Sequence, residues 1–452
     1  MMTMKSWQLA LAVVVASGAF VLTSCGSDKR NPFGSDPDGG AGPTGNTDPF
    51  GQLEAGTPEA GATPPVIGHL QGRVFAPEGT VPVSAAMVYL TTRTPDAIPG
   101  NAYCDTCVHL TAFEPYAYSK SDGTFDLAAY QTGKQFLVVQ KGQFRRIREV
   151  NVVTGDQPVA GDLTRLPGKT NAAMGDTIPK IAMVIGGYDK IDYSMKKLGI
   201  EEFYRYGDAP AGLPGSDGPG IKTGKAGNAL MNDAAEMSAN HIVLLPCAAM
   251  GYSQKDPSSG SGFLCGAPTS PQKSAFKSYV DSGGKLYVTD FAYEAVRQTW
   301  PGFITFYDDT MQPLTNTSQG IGTACRGGAE DTQGTAQDKG LGDWMTAIGD
   351  GNIQLKAAWS RIESVHPQPG FDPDGKPKTI TPKVWMTSTI GTGTQLPATV
   401  SFEQKCGRVL FSTYHAEGDS TSTLLAQEKA LLYVLLEVGV CVGELPPPPP
   451  PR

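Results

Sequence analysis

Charge is scarce in this chain. Only 18% of its 452 residues are Asp, Glu, Lys or Arg, and the formal net charge is -8. No basic stripe stands ready to neutralise phosphates, which argues against a nucleic-acid partner. Histidine is scarcer still, with five residues, at positions 69, 109, 241, 366 and 415. They form no His-x-His or His-Glu-x-x-His group, so the spacing of a catalytic metal centre is missing and neither a metal nor another cofactor is expected. There is no Gly-x-Ser-x-Gly elbow and no Walker-type loop. No apolar run reaches membrane-spanning length: Leu9 to Val21 has the length of a signal-peptide core, and Ala430 to Val442 is short and amphipathic.

What is present points to export. Glycine (55) and proline (36) are abundant. With so little charge, they suggest β-rich or α/β structure with long loops, not a helical bundle. Lys5 gives a positive start, the apolar stretch follows, and Leu22-Thr23-Ser24-Cys25 closes it. These four residues resemble the bacterial lipobox. The resemblance implies a diacylglyceryl group on the Cys25 thiol, cleavage before Cys25 and anchoring to a membrane through that lipid. Gly26 follows, not the aspartate that holds many such proteins in the inner membrane, so the outer membrane of the cell envelope is expected. Residues 26–65 are rich in Gly, Pro, Asp, Ser and Thr and read as a disordered tether spanning roughly 35 Å r.m.s.. Pro446–Pro451 reads as an exposed polyproline II stub.

Two folded parts are expected between these ends. In residues 66–165, short runs alternate and turn: Leu70 to Phe75, Ala86 to Leu90, Asp122-Gly123 opening Thr124 to Leu127, Gln135 to Gln140, and Phe144 to Val153. Strands at this spacing without helices suggest an antiparallel β-sandwich. The pattern Gly72-x-Val74, Pro82-Val83, Ala86-x-Val88-x-Leu90, Asp122-Gly123-x-Phe125-x-Leu127 and Gly133 before Phe136 to Val139 resembles the carboxypeptidase regulatory-like domain, a transthyretin-like sandwich. An insert, Asn101 to Pro115, departs from it and carries Cys104-Asp105-Thr106-Cys107. Tyr103, Phe113, Tyr116 and Tyr118 are candidate contacts for an envelope glycan or protein partner, or core residues. Arg145, Arg146 and Arg148 read as an exposed strand face.

Residues 175–443 change period. Apolar strands Lys180–Ile185, His241–Leu245, Lys285–Thr289 and Gly407–Tyr414 alternate with helical stretches at Ile191–Leu198, Ser274–Val280 and Thr423–Val438. This implies an α/β domain with a mostly parallel, flavodoxin-like sheet, interrupted by a loop-rich insertion at 301–400. Lys285–Thr289 after a helix stopped by Gly283-Gly284, and Val409 to Glu417 ending in His415-Ala416-Glu417, resemble the class I glutamine amidotransferase-like fold and its trehalose-utilisation-type relatives. The resemblance implies that His415 is a general base and Glu417 its orienter. The nucleophile does not carry across, because Asp290-Phe291-Ala292-Tyr293 stands where the family has Gly-x-Cys-x-Gly, with Phe291 at the turn. Two function classes stay open: a non-catalytic binding or structural lipoprotein, or a hydrolase using His415 and Glu417 with Asp290 or an activated water.

The remaining cysteines read as disulfides of an oxidising compartment. Cys104 with Cys107 is expected as a local bridge, the alternative being half a metal site. Cys247 is expected with Cys265, the alternative being a nucleophile at a strand end. Cys406, opening the last strand, is expected with Cys441, after the last helix; that would leave Cys325 over. Gly186-Gly187, after the first parallel strand, are either an anion cradle or a close-packing turn.

Overall fold

The computed structural model describes residues 64–111, 113–186, 188–207, 218–250, 252–253, 264–318, 320–325, 330–389, 393–417 and 423–436. Cys25, the tether to residue 63, Gly187, Cys441 and the proline tail lie outside them.

The first third folds as two sheets. Thr124–Ala129, Gly68–Arg73 and Gln157–Pro158 form a three-stranded sheet. Tyr116–Tyr118, Met87–Thr91, Gly133–Lys141, Phe144–Val152 and Asp176–Thr177 form a five-stranded one. Strand side chains alternate between faces. Val88, Leu90, Leu137 and Val139 therefore point inward and share one core with Leu70, Phe125 and Leu127 of the smaller sheet. Met87, Tyr89 and Val138 point the other way, under Leu110 of the insert. Tyr116 and Tyr118 pack against this second cluster, edge to face at 5.9 Å. Of the four candidate contact aromatics, Phe113 is the one among the exposed large hydrophobics, at 54%. The arginines are not an exposed face. Arg146 and Arg148 both ion-pair with Asp176, at 3.0 and 2.9 Å, and Arg145 donates to the Asp96 carbonyl. The alternation places Arg146 and Arg148 on one face, under the turn that carries Asp176, where burial demands a counter-charge, and Arg145 on the other.

The rest is built on a ten-stranded sheet. Its order is Ile221–Lys222, Tyr204–Tyr206, Ile181–Val184, Ile242–Leu245, Lys285–Thr289, Gly407–Ser412, Gln395–Gln404, Lys383–Thr389, Glu330–Ala336 and Ile353–Ala358. The joins among the first six are parallel and the later ones antiparallel. The stretch 301–400 is thus not mainly loop: it supplies four antiparallel strands of the main sheet, the helix Lys339–Ala347 and a hairpin at Gln368–Phe371 and Pro377–Ile380 turning on Gly375. Glu330–Ala336 (EDTQGTA) is half-exposed and polar, and Lys383–Thr389 and Gln395–Gln404 interleave their buried apolar residues with polar ones, so no apolar run announces them. The helix Ser270–Asp281 starts on a capping box between Thr269 and Gln272. Among the described residues, no helix is long and apolar enough to cross a membrane.

The insert clamps the first third to the amino-terminal edge of the parallel strands. Lys285 ion-pairs with Asp105 at 3.0 Å. His241 Nδ1 accepts from the Lys180 N–H and its Nε2 donates to the Pro99 carbonyl, both at 2.8 Å. Tyr103 stacks edge-on against that imidazole. Gly283 lies at φ +101°, and a Cβ there would stand 1.9 Å from the Tyr103 carbonyl oxygen, so only glycine lets the two segments touch.

The disulfides differ from those expected. Cys104 pairs with Cys406, Cα atoms 4.8 Å apart, and Cys265 with Cys325, 6.0 Å apart. Cys107 is in a disulfide too, not with Cys104. Cys247 is buried and unbridged. Cys406 pairs elsewhere because its strand is preceded by an antiparallel partner. It sits in the tight hairpin between Gln404 and Gly407, at the edge where the insert docks. Cys325 is therefore no leftover thiol.

Candidate functional site

Parallel strands end at a common edge, and there the sheet gathers its buried polar residues. Asp189 follows Ile181–Val184, Cys247 follows Ile242–Leu245, Asp290 follows Lys285–Thr289, and His415 and Glu417 follow Gly407–Ser412. These four strands are neighbours, so side chains far apart in sequence meet in the crevice at their carboxyl ends.

Asp290 sits at φ +46°, a left-handed conformation, where the strand breaks into the short helical turn Asp290–Ala292 and the helix Tyr293–Thr299. The strained elbow position therefore belongs to Asp290, not to Phe291. Phe291 turns away and packs edge-on against Trp359 at 5.3 Å. The fully buried Asp290 carboxyl accepts from the Ser360 N–H at 2.7 Å and the Trp359 N–H at 3.3 Å, and faces His415 Nδ1 at 3.0 Å. His415 Nε2 meets Glu417 Oε1 at 2.7 Å. Glu417, one-third exposed, is the outermost member of the chain Asp290–His415–Glu417.

Asp189 stands behind. Its carboxyl accepts from Thr289 Oγ1 at 2.6 Å and from the Ile191 and Ala416 N–H groups. Gln427 of the last helix donates to the His415 carbonyl and accepts from the Lys356 N–H, locking the loop to the far edge of the sheet. Gly186 allows the approach of the neighbouring turn: a Cβ there would stand 2.4 Å from the Cys247 carbonyl oxygen. Close packing thus accounts for this glycine.

Burial alone would push the His415 pKa down. The hydrogen bonds to Asp290 and Glu417, with the charges of Asp290 and Asp189, outweigh it and hold the pKa up at about 10. The imidazolium is the stable form, clasped between carboxylates. Burial pushes the Asp189 and Asp290 carboxyls up and the Cys247 thiol well up. A cavity of about 320 Å³ lies elsewhere, lined by Arg73, Asp122 and Lys429 among others, and no residue of the cluster borders it.

The structure thus brings together the three residues read as a degenerate catalytic set, Asp290, His415 and Glu417. It adds Asp189, Cys247, Ser360 and Gln427, which the sequence reading missed or assigned otherwise. The usable signal was a polar residue within a few positions of the end of each buried parallel strand. Only folding shows that those ends are adjacent.

No family model and no curated protein sequence matches this chain. Among solved structures it is similar to a cytoplasmic protein from Salmonella typhimurium, at 10% identity and TM-score 0.31, over 57% of this chain and 98% of that one. It is similar to a ThuA-like protein from Bacteroides uniformis, at 11% identity and TM-score 0.28, over 58% and 90%. A third similarity is to Gan42B, a GH42 β-galactosidase from G. stearothermophilus, at 10% identity and TM-score 0.27; it covers 59% of this chain and only 30% of that one. Scores this low carry no argument about activity.

Proposed function

We propose that this is a non-catalytic, lipid-anchored cell-envelope protein. In this reading, lipid on Cys25 holds it to the membrane, the outer one being favoured by Gly26. The N-terminal sheets form a carboxypeptidase regulatory-like sandwich. The parallel part is a flavodoxin-like, amidotransferase-like domain whose site holds structure rather than turning over a substrate. The partner is an envelope glycan or protein.

One observation carries the non-catalytic reading. Both ring nitrogens of His415 are engaged by carboxylates, at 3.0 and 2.7 Å, so the imidazole keeps no free lone pair with which to take a proton from a nucleophile. The elbow residue, Asp290, is buried with its oxygens already accepting backbone N–H groups, and Cys247 is sealed as a neutral thiol. The hydrolase reading retains one supporting feature, the left-handed elbow at Asp290 hydrogen-bonded to the histidine.

The purified mature chain is expected to release no ammonia from glutamine. Release by the wild type that is abolished by His415→Gln overturns the proposal in favour of the hydrolase. For the anchor, Cys25→Ala is expected to move the protein from the membrane pellet to the soluble fraction; persistence in the pellet defeats the lipoprotein reading.

A further inference from the structure

We propose that Cys247, Asp290 and His415 form a binding site for a zinc-type divalent metal ion. Cys247 Sγ, a carboxylate oxygen of Asp290 and a ring nitrogen of His415 all lie within 4.8 Å of one another, and all three residues are buried. A thiolate, a carboxylate and an imidazole are the donor types that a borderline-soft ion such as zinc accepts.

The geometry is close to what the ion needs. Tetrahedral zinc with bonds of about 2.0–2.3 Å holds its donors roughly 3.3–3.8 Å apart. The Asp290–His415 contact, at 3.0 Å, needs to open by a few tenths of an ångström. The sulfur needs to approach by no more than about 1.5 Å, a side-chain adjustment. The charges also close. An ion of charge +2 with one thiolate and one carboxylate is neutral, which is what a buried site tolerates. Binding requires the thiolate of Cys247 and an unprotonated Nδ1 on His415, so uptake of the ion is coupled to proton release.

The supporting residues fit the same role. A metal-bound histidine usually donates its other ring N–H to a carboxylate. With Nδ1 on the ion, Nε2–H donates to Glu417 Oε1 at 2.7 Å. The Ser360 N–H fixes the Asp290 carboxylate. Cys247 is also unbridged in a chain whose Cys104, Cys107, Cys265, Cys325 and Cys406 are all in disulfides. Three protein donors leave a fourth position for water or for a donor atom of a bound molecule. The site was invisible to a search for ligand spacing because each donor lies on a different strand end; Asp290 and His415 are 125 residues apart.

The test uses the full mature chain with its disulfides intact, stripped with a chelator and titrated with Co²⁺ and then Zn²⁺. The expected result is one Co²⁺ per chain with a thiolate-to-cobalt charge-transfer band, bleached by one equivalent of Zn²⁺. Cys247→Ser, nearly isosteric, should lose the band while keeping the wild-type circular dichroism. Glu417→Gln should weaken Zn²⁺ binding about 10–100-fold. The wild-type spectrum decides the matter even if a variant fails to fold. Absence of the band at saturating Co²⁺, or a band unchanged in Cys247→Ser, overturns the proposal.

Discussion

Replacing Asp290 separates a structural keystone from an idle active site. The carboxyl accepts from the Ser360 and Trp359 N–H groups and faces the His415 imidazolium, all in the interior. Truncation to alanine removes one of the two carboxylates that contact that charge and strands two backbone donors. Breaking a buried ion pair from one side costs about 3–5 kcal/mol. Each orphaned buried donor costs about 1–3 kcal/mol. These do not add in full, since the Trp359–Ser360 loop can relax and admit water. Alanine at φ +46° adds about 1 kcal/mol more, because a Cβ without a local hydrogen-bonding group is disfavoured there. The expected loss for Asp290→Ala is therefore about 4–6 kcal/mol, a large share of a typical total stability of roughly 5–15 kcal/mol. Asp290→Asn keeps one oxygen for the Ser360 N–H and tolerates the left-handed backbone, so about 1–3 kcal/mol is expected. Urea unfolding of the chelator-treated protein, followed by tryptophan fluorescence and circular dichroism together, measures both. Working sites store strain that mutation releases, so replacing their residues often leaves a protein as stable or more so. An Asp290→Ala variant at or above wild-type stability would refute the keystone argument and favour the hydrolase.

Three further outcomes follow from the packing. Peptide mapping under non-reducing conditions should recover Cys104 linked to Cys406, a bridge across 302 residues; its removal in Cys104→Ser/Cys406→Ser should cost about 3–5 kcal/mol, and a Cys104–Cys107 peptide would contradict it. Gly283→Ala should destabilise by more than about 1 kcal/mol in thermal or urea unfolding, because the new methyl meets the Tyr103 carbonyl and the backbone stays at positive φ. Asp176 is pushed up by burial but held below its usual value of 3.8 by Arg146 and Arg148. A depressed folded-state pKa gives stability that is present above the unfolded value and lost as pH falls through the folded one, so acid unfolding should shift to higher pH in Asp176→Asn; an unshifted midpoint would show that the pair contributes nothing.

The sequence yields those parts of the fold where hydrophobic pattern and topology agree. Ile181–Val184, Ile242–Leu245, Lys285–Thr289 and Gly407–Ser412 are short apolar runs bounded by glycine, proline or polar residues, which a buried parallel strand requires, and each stands within about two residues of its expected limits. The polar strands of 301–400 escape because their order comes from neighbours. Glu330–Ala336 is a strand only because Lys383–Thr389 and Ile353–Ala358 flank it.

The same division governs the site. His415 and Glu417 are two residues apart and could be read as a pair from their spacing; Cys247, Asp189 and Ser360 could not, since nothing local records that their strand ends meet. The disulfide errors have this origin too. Sequence proximity favours Cys104 with Cys107 and Cys247 with Cys265, since short loops close easily. The fold overrides that preference by bringing the insert against the hairpin at Cys406, 302 residues away. It also leaves Cys247 facing Asp290 and His415. A thiol kept out of the disulfides and placed among a carboxylate and an imidazole is a property of the assembled sheet edge. The decisive observation about this site is therefore chemical: whether that sulfur takes a metal ion.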